Sequence, residues 1–558
     1  SLIYSNRSIM FNIMPPGADD LSIPMVSLNL HPVFDLLCGI GWLLLASFAK
    51  AVFARSPRAA SRMPSSSMLV LLGFAIGLVL WLIDRPVVEY RMDSETFFIY
   101  LLAPIIFDAG YFMPNRAFFA SIITILVFAV GLTIWNTIAI GVSLSLLSSI
   151  LPSIALVPLL LFSSLLSASD PVAVIAVFEE IQVNDFLFVH VFGEALFNDA
   201  IAVVIFNLLL TLYNRGIREL QFTGYLIGSL TAAFVFNALV SVVLGVVFAL
   251  LASLLARLSV RDHSAAPAFI YVIPYLSFLT AHALNLSPII TIVVCSMCMR
   301  RYVEANLPKK SAETVRQFTK IVFHSSESVV YLFLGLAAFS SKANWWLLFS
   351  PSASTLFILV SLLFTFLARW VALFPLCAVL NLVKASERRL TMKDQLILSY
   401  SALRGAIAFA LAASLPNEMK EKPLFITATL VIVYFNVFVQ GCSIRPLINR
   451  LGVECKRPEG VVETTVEVRA SIRAERPGRL YAWFERFTAK YLDRMLISEG
   501  SSKKWTGKYT MTARAEITIE SKRGGEDLNA IAEEASKMVQ KRLNELSEEF
   551  EEVDSVSV

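Results

Sequence analysis

The sequence predicts an all-α polytopic membrane protein. It has about thirteen transmembrane helices, built as two inverted six-helix repeats with two unwound crossing helices, and a small α/β tail. Three observations predict it. The chain is 56% hydrophobic and 16% charged, whereas a soluble domain carries about 25% charged residues. Mean hydropathy is +0.68, and apolar runs recur until about residue 450, where the composition turns soluble-like. Two of those runs are broken at their centres in corresponding positions.

Crossing the hydrocarbon layer takes about 20 apolar residues. Such windows cover 33–53, 68–84, 96–112, 119–149, 156–178, 187–212, 223–257, 267–283, 286–300, 315–340, 354–381, 394–414 and 423–447. An odd number puts the two termini on opposite sides. Loops on the C-terminal side carry fifteen Lys and Arg, among them Arg300, Arg301, Lys309, Lys310, Arg388 and Arg389, against seven on the other side. By the positive-inside bias the C-terminus is cytoplasmic and the N-terminus outside. The organisation expected is therefore an extracellular segment at 1–32 without a signal-peptide pattern, a membrane domain at 33–450, and a cytoplasmic tail at 451–558.

Ionisable residues inside spans are costly unless paired, hydrated or functional. Asp108, Asp170, Glu194, Asp199, Glu327, Arg369 and Arg404 all fall within the windows, with Asp35 near the start of the first. A set of both signs points to a water-lined ion path.

The fifth window reads Ser167-Ala168-Ser169-Asp170-Pro171-Val172 and the twelfth Ser401-Ala402-Leu403-Arg404-Gly405-Ala406. Proline interrupts helical hydrogen bonding and glycine eases distortion. Each alone suits a kinked packing helix. Together, seven spans apart, they suit inverted repeats around the seventh span, and matched interruptions mark a transporter's binding site. Half-helix N-termini are partly positive and C-termini partly negative, so Asp170 suits the former and Arg404 the latter.

The sixth window contains Gly193-Glu194-Ala195-Leu196-Phe197-Asn198-Asp199. Glu194 and Asp199 are five apart, so their directions differ by roughly 140° at about 100° per residue. They are not expected to serve one ligand alike. Glu194 suits a pairing with Arg369, which leaves Asp199 to titrate. Burial favours the neutral form of a carboxyl and a nearby cation favours the charged one. A balance of the two lets a hard cation and a proton compete for one site, with oxygens from Asp170, Asn198 and the unwound backbone as further ligands.

These segments resemble the eukaryotic sodium/proton exchangers of the monovalent cation/proton antiporter superfamily, over about 68–450. The resemblance is carried by LLAPIIFDAGYFMP (101–114), FAVGLTIWN (128–136), SASDPVAVIAVFEEI (167–181), VFGEALFNDAIAVV (191–204), MRRYVEANLPKKS (299–311), SSESVVYLFLG (325–335), LRGAIAFAL (403–411) and FVQGCSIRPL (438–447). It implies a plasma-membrane-type antiporter with a core and a dimerisation part, elevator-type alternating access, a homodimer, and roles in pH, sodium and volume regulation. It implies Asp199 as exchange site with Asn198 before it, an asparagine typical of the electroneutral branch. It also implies Asp170 as crossing-helix acid, a Glu194–Arg369 bridge, Arg404 as crossing-helix arginine, and Glu327 in an inhibitor-associated span. The transported ions would be Na+, with Li+ or K+ as further candidates, and H+, with no cofactor. One departure stands out: many relatives have serine where this chain has Ala195, which bears on ligand count.

In the tail, Leu480, Trp483, Phe484, Phe487, Tyr491 and Met495 form an apolar stripe over 480–497. Such a helix suits a membrane surface or a docked partner, and the resemblance implies a calcineurin-homologous EF-hand protein. An alternating strand and a helix are expected within 507–553. Of six cysteines, Cys295 and Cys298 form a C-x-x-C that reads as two small packing residues on one helix.

A net charge of +4 without a basic, aromatic-interleaved tract excludes nucleic acid. The absence of G-x-x-x-x-G-K-[ST] disfavours an ATP-driven pump, and the resemblance implies a secondary active transporter and not an enzyme. Alternatives are a potassium/proton exchanger of an organelle membrane and an ion channel, the latter distinguished by large conductance without obligatory coupling.

Overall fold

The structure, a computed structural model, describes residues 31–54, 64–82, 94–170, 174, 178, 183–217, 224–258, 266–307, 309–339, 353–383 and 389–452. Nearly all of the 1–32 segment and of the 451–558 tail, including 480–497 and 507–553, lies outside the described residues, as does most of 171–182.

Each apolar window falls on helix. The helices are α1 (His31–Ala54), α2 (Ser65–Leu82), α3 (Ala103–Phe112), α4 (Asn115–Leu146), α5 (Leu156–Ser167), α6 (Asp185–Asn214), α7 (Gly224–Leu258) and α8 (Ala266–Ala283). They continue as α9 (Pro288–Asn306), α10 (Lys309–Leu336), α11 (Ala353–Val383), α12 (Met392–Tyr400), α13 (Ala406–Ser414), α14 (Lys422–Phe435) and α15 (Gly441–Leu451). A π-helical turn leads into α3 at Phe97–Leu102, and another joins α14 to α15 at Asn436–Gln440.

Among the described residues, seven stretches are long and apolar enough to cross a bilayer: Ser65–Leu82, Ala117–Leu146, Phe186–Asn214, Gly228–Leu258, Ser311–Phe339, Ala353–Leu382 and Lys422–Leu451. Leu43–Phe53, Phe97–Phe112, Leu156–Ser167 and Ile270–Ala283 are shorter apolar helices. The twelfth window is divided between α12 and α13.

Local chemistry sets the boundaries. Asn184 caps α6 by accepting from Phe186 N (3.1 Å), and Ser287 caps α9, which has Pro288 at its first position. Thr391 and Asp394 form a reciprocal capping box on α12. Gly452, at φ 59°, closes α15 in the left-handed region.

Two packed groups position the site. In one, α4 lies against α5, α6 and α11, α5 against α6 and α13, and α14 against α11 and α13. Its interior includes the stacked Phe162 and Phe425, with centroids 4.7 Å apart. In the other, α9 lies against α3, α7 and α8, and α2 against α10. The α2–α10 crossing is close because it lacks side chains: a Cβ on Gly73 would strike the Leu332 carbonyl, and one on Gly335 the Val70 carbonyl. Ile134 and Ile138 on α4, and Phe236, Leu239 and Val243 on α7, face outward. Exposed apolar faces of this kind fit lipid as solvent.

Candidate ion-binding site

The two interrupted windows meet at their breaks. α5 stops at Ser167, α12 stops at Tyr400, and α13 starts at Ala406. Between them, Asp170 and Leu403 form an isolated antiparallel bridge, with Asp170 N donating to Leu403 O at 2.7 Å. Arg404 Nη1 donates to the carbonyls of Ser167 (2.8 Å) and Ala168 (3.3 Å). The guanidinium thereby covers the C-terminal carbonyls of α5, the partly negative end of that helix. The Asp170 carboxylate lies over Gly405, the N-cap of α13, where a Cβ would come within 2.6 Å of Asp170 Cγ. That is the partly positive end of α13. Asp170 also accepts from the Tyr331 hydroxyl of α10 at 3.0 Å.

α6 brings Asn198 and Asp199 to this crossing. Asn198 is fully buried. Its Nδ2 donates to Ser169 Oγ (2.8 Å) and its Oδ1 accepts from Thr133 Oγ1 (2.7 Å). The amide therefore ties α4, α6 and the first break together. Asp199 is 6% exposed, and its charged neighbours include Asp170 and Arg404. Its Oδ1 has no hydrogen-bond partner among the described residues. A buried carboxylate oxygen left open in this way is costly unless something binds it.

On the other side of α6, Arg369 of α11 donates to both oxygens of Glu194, each at 2.8 Å. It also donates to Leu398 O of α12 at 2.8 Å. Glu194 and Arg369 are 1% and 3% exposed, so the pair is a buried, bidentate one.

The structure sorts the remaining buried charges away from this centre. Lys320 donates to Asp108 Oδ2 at 3.1 Å. Lys50 of α1 donates to Glu327 Oε2 at 3.0 Å, with His324 Nδ1 at 3.4 Å from the same oxygen. Glu327 lies on α10 one turn before Tyr331, whose hydroxyl reaches Asp170. Sequence reasoning missed Thr133, Ser169 and Tyr331, whose hydroxyls are unremarkable in an apolar run. It also missed Lys50 and Lys320 as partners. A lysine within an apolar window was the available signal.

A helical membrane protein whose two broken helices cross beside buried carboxylates has the build of a secondary ion transporter. The comparisons with known proteins agree. A family model described as "Sodium/hydrogen exchanger, transmembrane" matches residues 43–450, and the chain belongs to that family. The chain is 40% identical over 494 residues to the "Probable Na(+)/H(+) antiporter nhx-9" of Caenorhabditis elegans, covering 86% of this chain and 72% of that one. It is 40% identical over 418 residues to "Sodium/hydrogen exchanger 3" of Homo sapiens, covering 74% of this chain and 49% of the human one. Among solved structures, the sodium proton antiporter MjNhaP1 of Methanocaldococcus jannaschii superposes with a TM-score of 0.55 at 18% identity. That match covers 75% of this chain and 99% of the archaeal one, and it establishes the shared helical fold.

Proposed function

We infer that the protein exchanges one Na+ for one H+ across a cell membrane, with Asp199 holding either ion in turn during elevator-type alternating access. The observation that carries this reading is Asp199 Oδ1, unpartnered among the described residues and enclosed beside Asp170 at the crossing of two broken helices. Sodium prefers oxygen ligands. The carboxylates of Asp199 and Asp170, the second lone pair of Asn198 Oδ1 and exposed backbone carbonyls offer them. Arg404 and Asp170 balance the helix ends, so a single further positive charge enters a site already compensated. Glu194 and Arg369 hold α6 to α11 and α12 and leave Asp199 as the titrating acid. One monovalent cation against one proton moves no net charge.

The same reading takes the chain as a homodimer with its N-terminus outside and C-terminus cytoplasmic, supported by the loop charges. It takes 480–497 as the segment that lies on the membrane or receives a calcineurin-homologous EF-hand protein. Regulation of pH, sodium and volume would follow from coupled flux.

The test is purified protein in liposomes with a pH dye inside and a Na+ gradient outside, K+ and Li+ serving as comparisons. Wild-type vesicles should show Na+-dependent proton flux. Asp199→Asn should show none while eluting as the same folded species in size-exclusion chromatography. Retained flux in that variant would overturn the assignment.

A further inference from the structure

A second polar pocket lies behind the Glu194–Arg369 bridge. Arg369 spends its two terminal nitrogens on Glu194 and Leu398, and its Nε has no partner among the described residues. Arg369 is among the residues that line a narrow, partly open recess between α11, α12 and the π-helical turn Asn436–Gln440. Three more buried polar atoms without partners among the described residues belong to residues lining the same recess: Ser399 Oγ, Asn436 Oδ1 and Gln440 Oε1. Asn436 and Gln440 are 2% and 3% exposed. Gln440 is oriented by its other end, since Nε2 donates to Tyr400 O at 2.5 Å.

The chemistry of these four atoms selects the occupant. They comprise one charged donor, two amide acceptors and one hydroxyl that can do either. No carboxylate lines the recess, and a guanidinium nitrogen repels a cation. Two carbonyl-type oxygens repel an anion. A neutral molecule that both donates and accepts suits this set, and the recess has room for about one water. A π turn departs from the ordinary helical ladder and re-aims side chains, a distortion frequent at functional sites.

We propose that Ser399, Asn436 and Gln440 hold ordered water against Arg369 Nε, and that this hydrated pocket positions the arginine for its bridge to Glu194. Asn436 and Gln440 are then positioning residues for the exchange reaction, acting through Arg369. The transport arm of the test rests on the exchange activity inferred above; the hydration arm does not.

The hydration arm is hydroxyl-radical labelling by X-ray radiolysis of the full chain in liposomes, in which water is itself the probe. Trp370 and Phe366 line the recess, while Phe162 sits in an aromatic stack. Wild-type protein should show modification at Trp370 and Phe366 well above Phe162. Asn436→Leu should lower it, and Asn436→Ser, which keeps an acceptor and leaves space, should restore it. Labelling of Trp370 and Phe366 no higher than Phe162 in wild type would overturn the proposal, and this needs no variant to fold. In the transport arm, Asn436→Leu should reduce maximal exchange about fivefold, the scale of one lost buried hydrogen bond. The apparent sodium KM should stay unchanged, and Asn436→Ser should recover the rate. Wild-type rates in Asn436→Leu, or a loss confined to sodium KM, would refute the positioning role.

Discussion

At the residue scale, burial and pairing separate the ionisable groups into holders and binders. Glu194 and Arg369 satisfy each other, and removing one partner of such a buried pair costs about 3–5 kcal/mol because it strands a buried charge. Glu194→Gln is therefore expected to lower the thermal midpoint of the detergent-solubilised protein clearly. Glu194→Gln combined with Arg369→Met should recover part of that loss, and an equal or larger loss in the double variant would contradict the pairing argument. Ala195, buried beside Glu194, stands where many family members have a serine. A hydroxyl there would add an oxygen to the ligand set, so Ala195→Ser should tighten apparent Na+ affinity in the liposome assay. An unchanged or weaker affinity would mean that the side chain does not reach the ion.

The acids themselves were legible in the sequence because a charge inside an apolar run has few structural reasons to be there. The pairing of Glu194 with Arg369 was legible too; what the sequence did not reveal was the set of hydroxyl ties around the acids. The directions of Glu194 and Asp199 follow from helical spacing, yet the ties made by Thr133, Ser169 and Tyr331 depend on which helices become neighbours. Hydroxyls are cheap to bury when they can bond to their own helix, so their presence in a span carries little information.

At the element scale, the two interruptions work as a pair of exposed helix ends. Proline and glycine made the breaks readable, but not that Arg404 would reach across to the carbonyls of the other broken segment. The π turns at Phe97–Leu102 and Asn436–Gln440 carry no comparable sequence marker. Gly405 is an N-cap with no room for a side chain, since any Cβ would collide with the Asp170 carboxylate. Gly405→Ala should displace that carboxylate and abolish Na+-dependent proton flux while leaving the size-exclusion profile intact. Full activity in this variant would show that Asp170 need not sit where it does. Arg404→Met would uncover the Ser167 and Ala168 carbonyls, and a loss of folded yield is expected from that change.

At the scale of the whole molecule, charge accounting predicts the electrical behaviour. If one Na+ replaces one H+, clamping the vesicle potential with K+ and valinomycin should leave the exchange rate unaltered. A rate that follows the imposed voltage would require a second titrating group in the cycle. The all-α character and the apolar windows were legible throughout, because lipid imposes length and composition on any span. The count of full crossings was harder to read, since short and broken helices such as α5, α12 and α13 cross only in combination with their unwound partners.

The backbone hydrogen bond from Asp170 to Leu403 stitches the two broken segments together beside Asn198 and Asp199. Neither broken segment can slide past the other without opening that stitch. In the exchange cycle proposed above, the displacement that delivers the cation is then expected to carry both segments together, so a cross-link anchoring either of them to α10 should halt its partner as well.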